Sequence, residues 1–249
     1  MNNRQTFSIS SDQYARYRPL YPSELFKYLA GLVEHPGVAW DCATGSGQAA
    51  VLCAEYFQQV FASDISAAQI QQAYPHPSVV YCVSTAEAPA FKSHSFDLIM
   101  VAQALHWFKL DVFYAEVHRL LKPHGILAFW GYGFFSIDPR LDELLDECLL
   151  NIISPYWSKE NRILQSGYRR VPLPFEEIKP TPSFELSLQW NLPQMLGYLS
   201  TWSAVKRHQV ETKIDLLADL RSRMLPFWPE DEIKTIKMPL YLRAGKNAT

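Results

Sequence analysis

Long apolar runs are missing from this 249-residue chain. The longest nearly uninterrupted one, Gly125 to Phe135, has eleven residues, against the ~20 that a membrane-spanning helix requires. An excess of one charge is missing too. Lys plus Arg total 23 and Asp plus Glu 25, so the net charge is −2, with no block of like sign. That balance argues against duplex DNA or an anionic membrane as the partner. Cysteines number four (Cys42, Cys53, Cys82, Cys148), with no C-x-x-C pair for metal or redox work. Such sparse thiols read as small buried hydrophobes in a reducing, cytoplasmic compartment. His35, His76, His94, His118, His124 and His208 show no ligand spacing, so no metal site is expected. The first eleven residues lack a charged-then-apolar layout, so no secretory signal is expected. Internal repeats and low-complexity tracts are absent as well.

What is present is ordinary for a globule: 48 % hydrophobic and 19 % charged residues, enough for one large α/β domain. The first half alternates. Leu25, Phe26, Leu29, Leu32 and Val33 recur at helical spacing behind Tyr21-Pro22-Ser23. Short apolar runs at Val38–Trp40, Val60–Ser63, Val79–Val83, Phe96–Ala102 and Ile126–Trp130 predict five strands. Between them lie expected helices from about Gln48 to Tyr56, from a Ser66 cap through Ala73, and from an Asp111 cap through Leu121. Strands separated by helices imply a parallel sheet, and their continuous apolarity implies burial on both faces.

After Tyr132 the rhythm changes. Asp138-Pro139 starts a helix with Leu141, Leu144, Leu145, Cys148, Leu149 and Ile152 on one face. Ser154 to Ser183 carries five prolines and is expected to be irregular. Phe184, Leu186, Leu188 and Trp190 alternate as an edge strand would. Helices at about Leu192–His208 and Glu211–Leu225, then a strand at Met238–Arg243, complete the pattern. The expected division is a core over 22–133, an inserted cap with the sixth strand over 134–237, and a closing strand over 238–249.

Chemistry concentrates in Asp41-Cys42-Ala43-Thr44-Gly45-Ser46-Gly47-Gln48, at the end of the first strand. Open α/β sheets bind ligands there. Gly45 and Gly47 let a ligand approach the backbone where a Cβ would intrude. Asp41 at the crevice needs a hydrogen-bonding or cationic partner. Asp64, closing the second strand, can accept both hydroxyls of a ribose. Gly45-Ser46-Gly47-Gln48-Ala49-Ala50 also fits the dinucleotide fingerprint G-x-G-x-x-A. Against that reading, Asp41 interrupts the apolar strand before the first glycine, and no second nucleotide-binding half follows the fifth strand.

These residues carry a resemblance. Asp41 to Gly47 resembles motif I of the class I S-adenosylmethionine-dependent methyltransferases, and Asp64-Ile65-Ser66 resembles their acidic second-strand motif. Thr85-Ala86-Glu87 looks like their adenine-side loop. Phe96–Ile99 with Ala102–Trp107 resembles the fourth-strand motif, and Leu121–Gly125 is similar to their L-K-P-G-G turn. Tyr14–Pro22, Ala102–Trp107, Leu196–Ala204 and Pro239–Arg243 look more like the trans-aconitate-methyltransferase-like branch, which acts on small molecules. The first motif glycine is replaced by Ala43, for which a modest effect is expected.

The resemblance implies a Rossmann-like seven-stranded doubly wound α/β sheet, its last strand antiparallel, with a helical cap insertion. The implied cofactor is S-adenosylmethionine. Tyr14, Asp41, Ala43, Gly45, Gly47, Gln48, Asp64, Ile65, Thr85, Ala86, Glu87, Ala102 and Gln103 would hold it. Within that set, Asp41 and the carbonyls near Ala102 and Gln103 would take its ammonium. Asp64 would take the ribose, Ile65 the adenine face, and Ala86 and Glu87 the adenine edge. Tyr17, Arg18, Trp107 and Trp202 are the expected acceptor contacts, and His106 with Trp107 the expected catalytic pair. His106 has an unperturbed proton affinity suited to a base, or is simply hydrogen-bonded to a loop. The expected partner is a small-molecule methyl acceptor, with a carboxylate as the expected acceptor group, and not a nucleic acid or a membrane. Two other readings stand beside it: an NAD(P)-dependent oxidoreductase, and a non-catalytic S-adenosylmethionine-binding module.

Overall fold

The computed structural model describes residues 19–248. Its sheet runs β1 (Val38–Cys42), β2 (Gln59–Asp64), β3 (Val79–Val83), β4 (Phe96–Ala102), β5 (Leu121–Tyr132), β6 (Glu176–Glu177), β7 (Phe184–Trp190) and β8 (Lys234–Lys246). The spatial order is β3-β2-β1-β4-β5-β8, and β6 and β7 both pair with the outer side of β8. The eight segments therefore fill seven positions. β1 to β5 are parallel, whereas β8 enters antiparallel to β5, with Ile126 opposite Lys246 and Tyr132 opposite Leu240.

The sheet divides two apolar cores, as doubly apolar strands require. Ala39, Leu98, Met100, Ala128 and Trp130 project into one. Trp40, Cys42, Ile99, Val101 and Phe129 project into the other. Helix α1 (Ser23–Gly31) sends Leu25, Phe26 and Leu29 into the first core. Helix α2 (Gln48–Cys53) adds Ala49, Ala50 and Cys53 to it. The short helix α3 (Ala67–Gln71) is capped by Ser66, as expected. Helix α4 (Leu110–Leu120) sends Phe113, Val117 and Leu120 into the second core.

Five expectations need correction. α4 starts behind Lys109, not behind an Asp111 cap, and Asp111 lies in its first turn. β5 begins at Leu121, before the Lys122–Gly125 turn. Phe96 pairs with Leu121 but Leu98 with Ile126, so those four residues form a bulge, with His124 at φ 63°. The expected Leu192–His208 helix is two, α8 (Leu192–Ser200) and α9 (Ser203–Thr212), and the next, α10, covers only Leu216–Met224 behind an Asp215 cap. The stretch from Ser154 is not wholly irregular either. It holds helix α7 (Lys159–Gln165), whose first turn is capped by Ser158.

Helix α5 (Pro139–Leu145), capped by Asp138, runs through a π turn into the short α6 (Asn151–Ile153). Leu141, Leu149, Leu192, Leu199 and Leu220 from these later helices join the same core as Trp130. Hydrophobic burial of roughly 1.5–3 kcal/mol per large side chain fastens them to the sheet. Among the later helices, α7 packs against a 3-10 turn at Leu105–Trp107 that follows β4.

Candidate active site

β1 delivers Asp41 fully buried at the carboxyl edge of the sheet, where Thr44 Oγ1 donates to its Oδ2 at 2.5 Å. The chain then bends through three left-handed positions: Ala43 at φ 59°, Gly45 at 58° and Gly47 at 85°. Main-chain bonds brace the bend, Thr44 N–H to Ser63 O and Gly47 N–H to Thr44 O. The carboxylate of Asp64 braces it from β2. Its Oδ2 accepts from Gly45 N–H at 2.9 Å and its Oδ1 from Ser66 N–H at 2.8 Å. Each carboxylate oxygen retains a lone pair beyond those bonds, which suits the two hydroxyls of a ribose.

Gly47 faces a neighbour that spacing alone does not reveal. A Cβ built there would fall 2.2 Å from Tyr81 Oη. That phenol donates to Tyr74 O at 2.7 Å, and burial, with Asp41 nearby, pushes it up to about 12. Gln48 opens α2, and its buried Oε1 has no hydrogen-bond partner among the described residues. Ile65, just past β2, is 53 % exposed, an apolar face open to a flat ring.

Thr85, Ala86 and Glu87 follow β3, tied to the same corner by Ser84 N–H donating to Asp64 O. The Ala86 side chain lies within the second core. Glu87 Oε1 accepts from Lys109 N–H at 3.1 Å, anchoring the start of α4. Ala102 ends β4, and Gln103 follows at φ 58°, its N–H held by Trp130 O. Among the described residues the buried Gln103 Oε1 has no hydrogen-bond partner.

His106 is buried on the turn after β4, its ring centroid 4.8 Å from that of Trp107. Burial drives its pKa down from 6.5 to about 4, against a smaller upward pull from Glu160. Nδ1 lies 2.9 Å from the hydroxyl of Tyr168, a fully buried residue that the sequence did not single out. Trp202 sits between α8 and α9, with ring centroids 5.5 Å from Trp157, 5.6 Å from Phe134 and 5.7 Å from Tyr198. Phe134 comes two residues after β5, the strand beside β4, and Trp157, Tyr198 and Trp202 of this aromatic group pack with the first core. Tyr14, Tyr17 and Arg18 lie outside the described residues.

The assembled set is two carboxylates at the ends of adjacent strands, a left-handed bend between them, an exposed Ile and aromatic side chains beyond β4. These residues fit an amino-acid-bearing nucleoside: the carboxylates suit an ammonium and a ribose, and Ile65 an adenine. Comparison with known proteins gives the family. Residues 40–129 match the methyltransferase domain family. The chain is 32 % identical over 249 residues to a methyltransferase of Dictyostelium discoideum, covering 96 % of this chain and 94 % of that protein. A Saccharomyces cerevisiae protein named as an S-adenosylmethionine-dependent methyltransferase is 26 % identical over 67 % of this chain and 59 % of its own. The solved structure of a type II methyltransferase from Anaeromyxobacter dehalogenans superposes with a TM-score of 0.87 at 38 % identity, covering 92 % of this chain and 97 % of that one. The chain belongs to the class I S-adenosylmethionine-dependent methyltransferases. Its cofactor is S-adenosylmethionine, and the oxidoreductase reading falls.

Proposed function

We propose that the protein methylates a carboxylate oxygen of a small molecule, in the manner of the trans-aconitate-methyltransferase-like branch. When bound, the cofactor supplies an electrophilic methyl group on a sulfonium. The observation that carries the reading is His106. With its proton affinity lowered to that of a pKa of about 4, it is a weak base for a hydroxyl or ammonium acceptor. A carboxylate is already ionised near neutral pH and needs none.

In this reading Asp64 binds the ribose hydroxyls, Asp41 the ammonium, and Gly45 and Gly47 admit the amino-acid portion to the bend. Gln48 and Gln103 contribute at its flanks, and Ile65, Thr85, Ala86 and Glu87 flank the adenine. Trp107 and Trp202 orient the acceptor and exclude water, alignment being able to supply effective molarities of about 10⁵–10⁸ M. Aromatic faces near a sulfonium add roughly 0.5–2 kcal/mol each. The helices between residues 134 and 237 close the acceptor chamber as a cap. The balanced net charge of −2 supports a small acceptor over a nucleic acid. The free thiols of Cys42, Cys53, Cys82 and Cys148 accord with a reducing, cytoplasmic setting. Among the described residues no helix is long and apolar enough to cross a membrane.

Incubation with S-adenosylmethionine and a panel of small carboxylic acids, amines and phenols tests this. Mass spectrometry should find methyl esters together with S-adenosylhomocysteine. Transfer confined to amines or phenols would overturn it.

A further inference from the structure

His106 and Tyr168 reach one another from stretches of the chain 62 residues apart, beside the second core. His106 is carried by the turn after β4, and Tyr168 by the chain beyond α7. The approach of α7 depends on Gly131 of β5, where a Cβ would lie 2.1 Å from Leu164 Cδ1 and 3.2 Å from Tyr168 Cε2. Arg243 then ties the Tyr168 carbonyl down at 2.8 Å, holding a residue whose own φ is 56°. The phenol is thus placed by three elements, and its oxygen ends 2.9 Å from His106 Nδ1.

A distance of that size fits either direction of donation, but burial selects one. Tyr168 is 0 % exposed, and among the described residues His106 Nδ1 is the acceptor within reach of its hydroxyl. Were Nδ1 to donate, the phenolic proton would be buried without an acceptor, a loss greater than a typical hydrogen bond's net gain. The phenol does not ionise to escape the conflict, because burial raises its pKa. Glu160 on α7 is the charged group acting on the imidazole, and its pull toward the protonated form is smaller than the effect of burial.

We infer that Tyr168 is a positioning residue that fixes His106 as the Nε2–H tautomer, so the imidazole meets the acceptor as a hydrogen-bond donor to an oxygen lone pair. This rests on the acceptor site proposed at the end of β4. It deepens that reading by giving the histidine a selective role: it favours acceptors presenting a bare oxygen and disfavours those presenting only N–H groups. Neutral imidazole has one donor and one acceptor nitrogen, and the acceptor is consumed by the phenol.

The test is two-bond 1H–15N correlation on full-length protein labelled with 15N-histidine at pH 7, the His106 signals being those lost in His106→Gln. Nδ1 is expected to resonate as a bare, pyridine-like nitrogen and Nε2 as a protonated one. The opposite pattern in the wild-type protein would overturn the inference by itself, whether or not any variant folds. In Tyr168→Phe the tautomers should mix, and kcat/KM for the acceptor should fall about tenfold while S-adenosylhomocysteine affinity stays within about twofold. A folded Tyr168→Phe with an unchanged tautomer pattern would also overturn it. A failure to methylate carboxylates leaves the spectrum as it is, so the two failures are separable.

Discussion

Asp64 and Gly45 are joined across two strands: the carboxylate Oδ2 at the end of β2 accepts the glycine N–H at 2.9 Å, inside the bend after β1. The residue assigned to the ribose therefore also shapes the loop assigned to the amino-acid portion. Removing it acts twice. Asp64→Ala should weaken S-adenosylhomocysteine binding by about 1.5–3 kcal/mol, roughly 10- to 150-fold, from lost charge-assisted bonds. It should also lower folding stability by about 1–3 kcal/mol, as Gly45 N–H and Ser66 N–H lose their acceptor. Calorimetry and urea titration separate the two effects. Unchanged affinity would remove Asp64 from the cofactor site.

Ala43 occupies a left-handed position, φ 59°, where a Cβ costs roughly 1–2 kcal/mol. Ala43→Gly should relieve that strain, while glycine's greater freedom in the unfolded chain offsets part of the gain. The expected outcome is a net stabilisation of about 0.5–1 kcal/mol, read as a higher urea midpoint with an unchanged slope. A lower midpoint would mean that the Ala43 methyl has packing worth more than its strain.

The sheet was legible in the sequence because its strands are short apolar runs closed by polar punctuation, as at Val79–Val83 between Pro77 and Ser84. The closing antiparallel pair was legible through the alternation of Phe184, Leu186, Leu188 and Trp190, which marks an edge. Asp41 and Asp64 were legible because a carboxylate at the end of an apolar strand needs a reason. Tyr168 was not. It lies in a proline-rich stretch with no periodicity, and its value arises only when α7 docks over Gly131. Helix α7 was overlooked for a similar reason: seven residues with none buried give no apolar stripe, although Ser158 was a readable cap. The split between α8 and α9 at Thr201-Trp202 carries neither proline nor glycine, so propensity did not announce it.

Gly47 combines a φ of 85° with the Tyr81 phenol in the space a Cβ would take. Gly47→Ala should therefore cost about 2–4 kcal/mol, the sum of backbone strain and displacement of Tyr81 from its bond to Tyr74 O. The two parts can be told apart. In a Tyr81→Ala background the clash is gone, and the same substitution should cost only the backbone share, about 1–2 kcal/mol. Equal costs in both backgrounds would show that Tyr81 yields freely and that conformation alone fixes this glycine.

The lowered proton affinity of His106 makes stability depend on pH in a definite direction. In the unfolded chain the imidazole takes its proton near pH 6.5, whereas in the folded protein burial delays this to about 4. Between those values the unfolded state binds more protons, so acidification favours it. His106 thus contributes stability that is fully present above pH 6.5, is lost progressively as pH falls, and is exhausted near pH 4. The span corresponds to about 3 kcal/mol at one pKa unit per ~1.4 kcal/mol. Other groups titrate in the same range, so the comparison that isolates this one is with His106→Gln. Urea titrations at pH 7 and pH 4.5 should show the wild-type protein losing about 2–3 kcal/mol more than the variant over that interval. An equal loss in both would mean that His106 is protonated in the folded protein at weakly acidic pH. Near neutral pH the imidazole would then keep the basicity of an ordinary histidine, enough for a general base, and the argument for an acceptor that needs no base would lose its support.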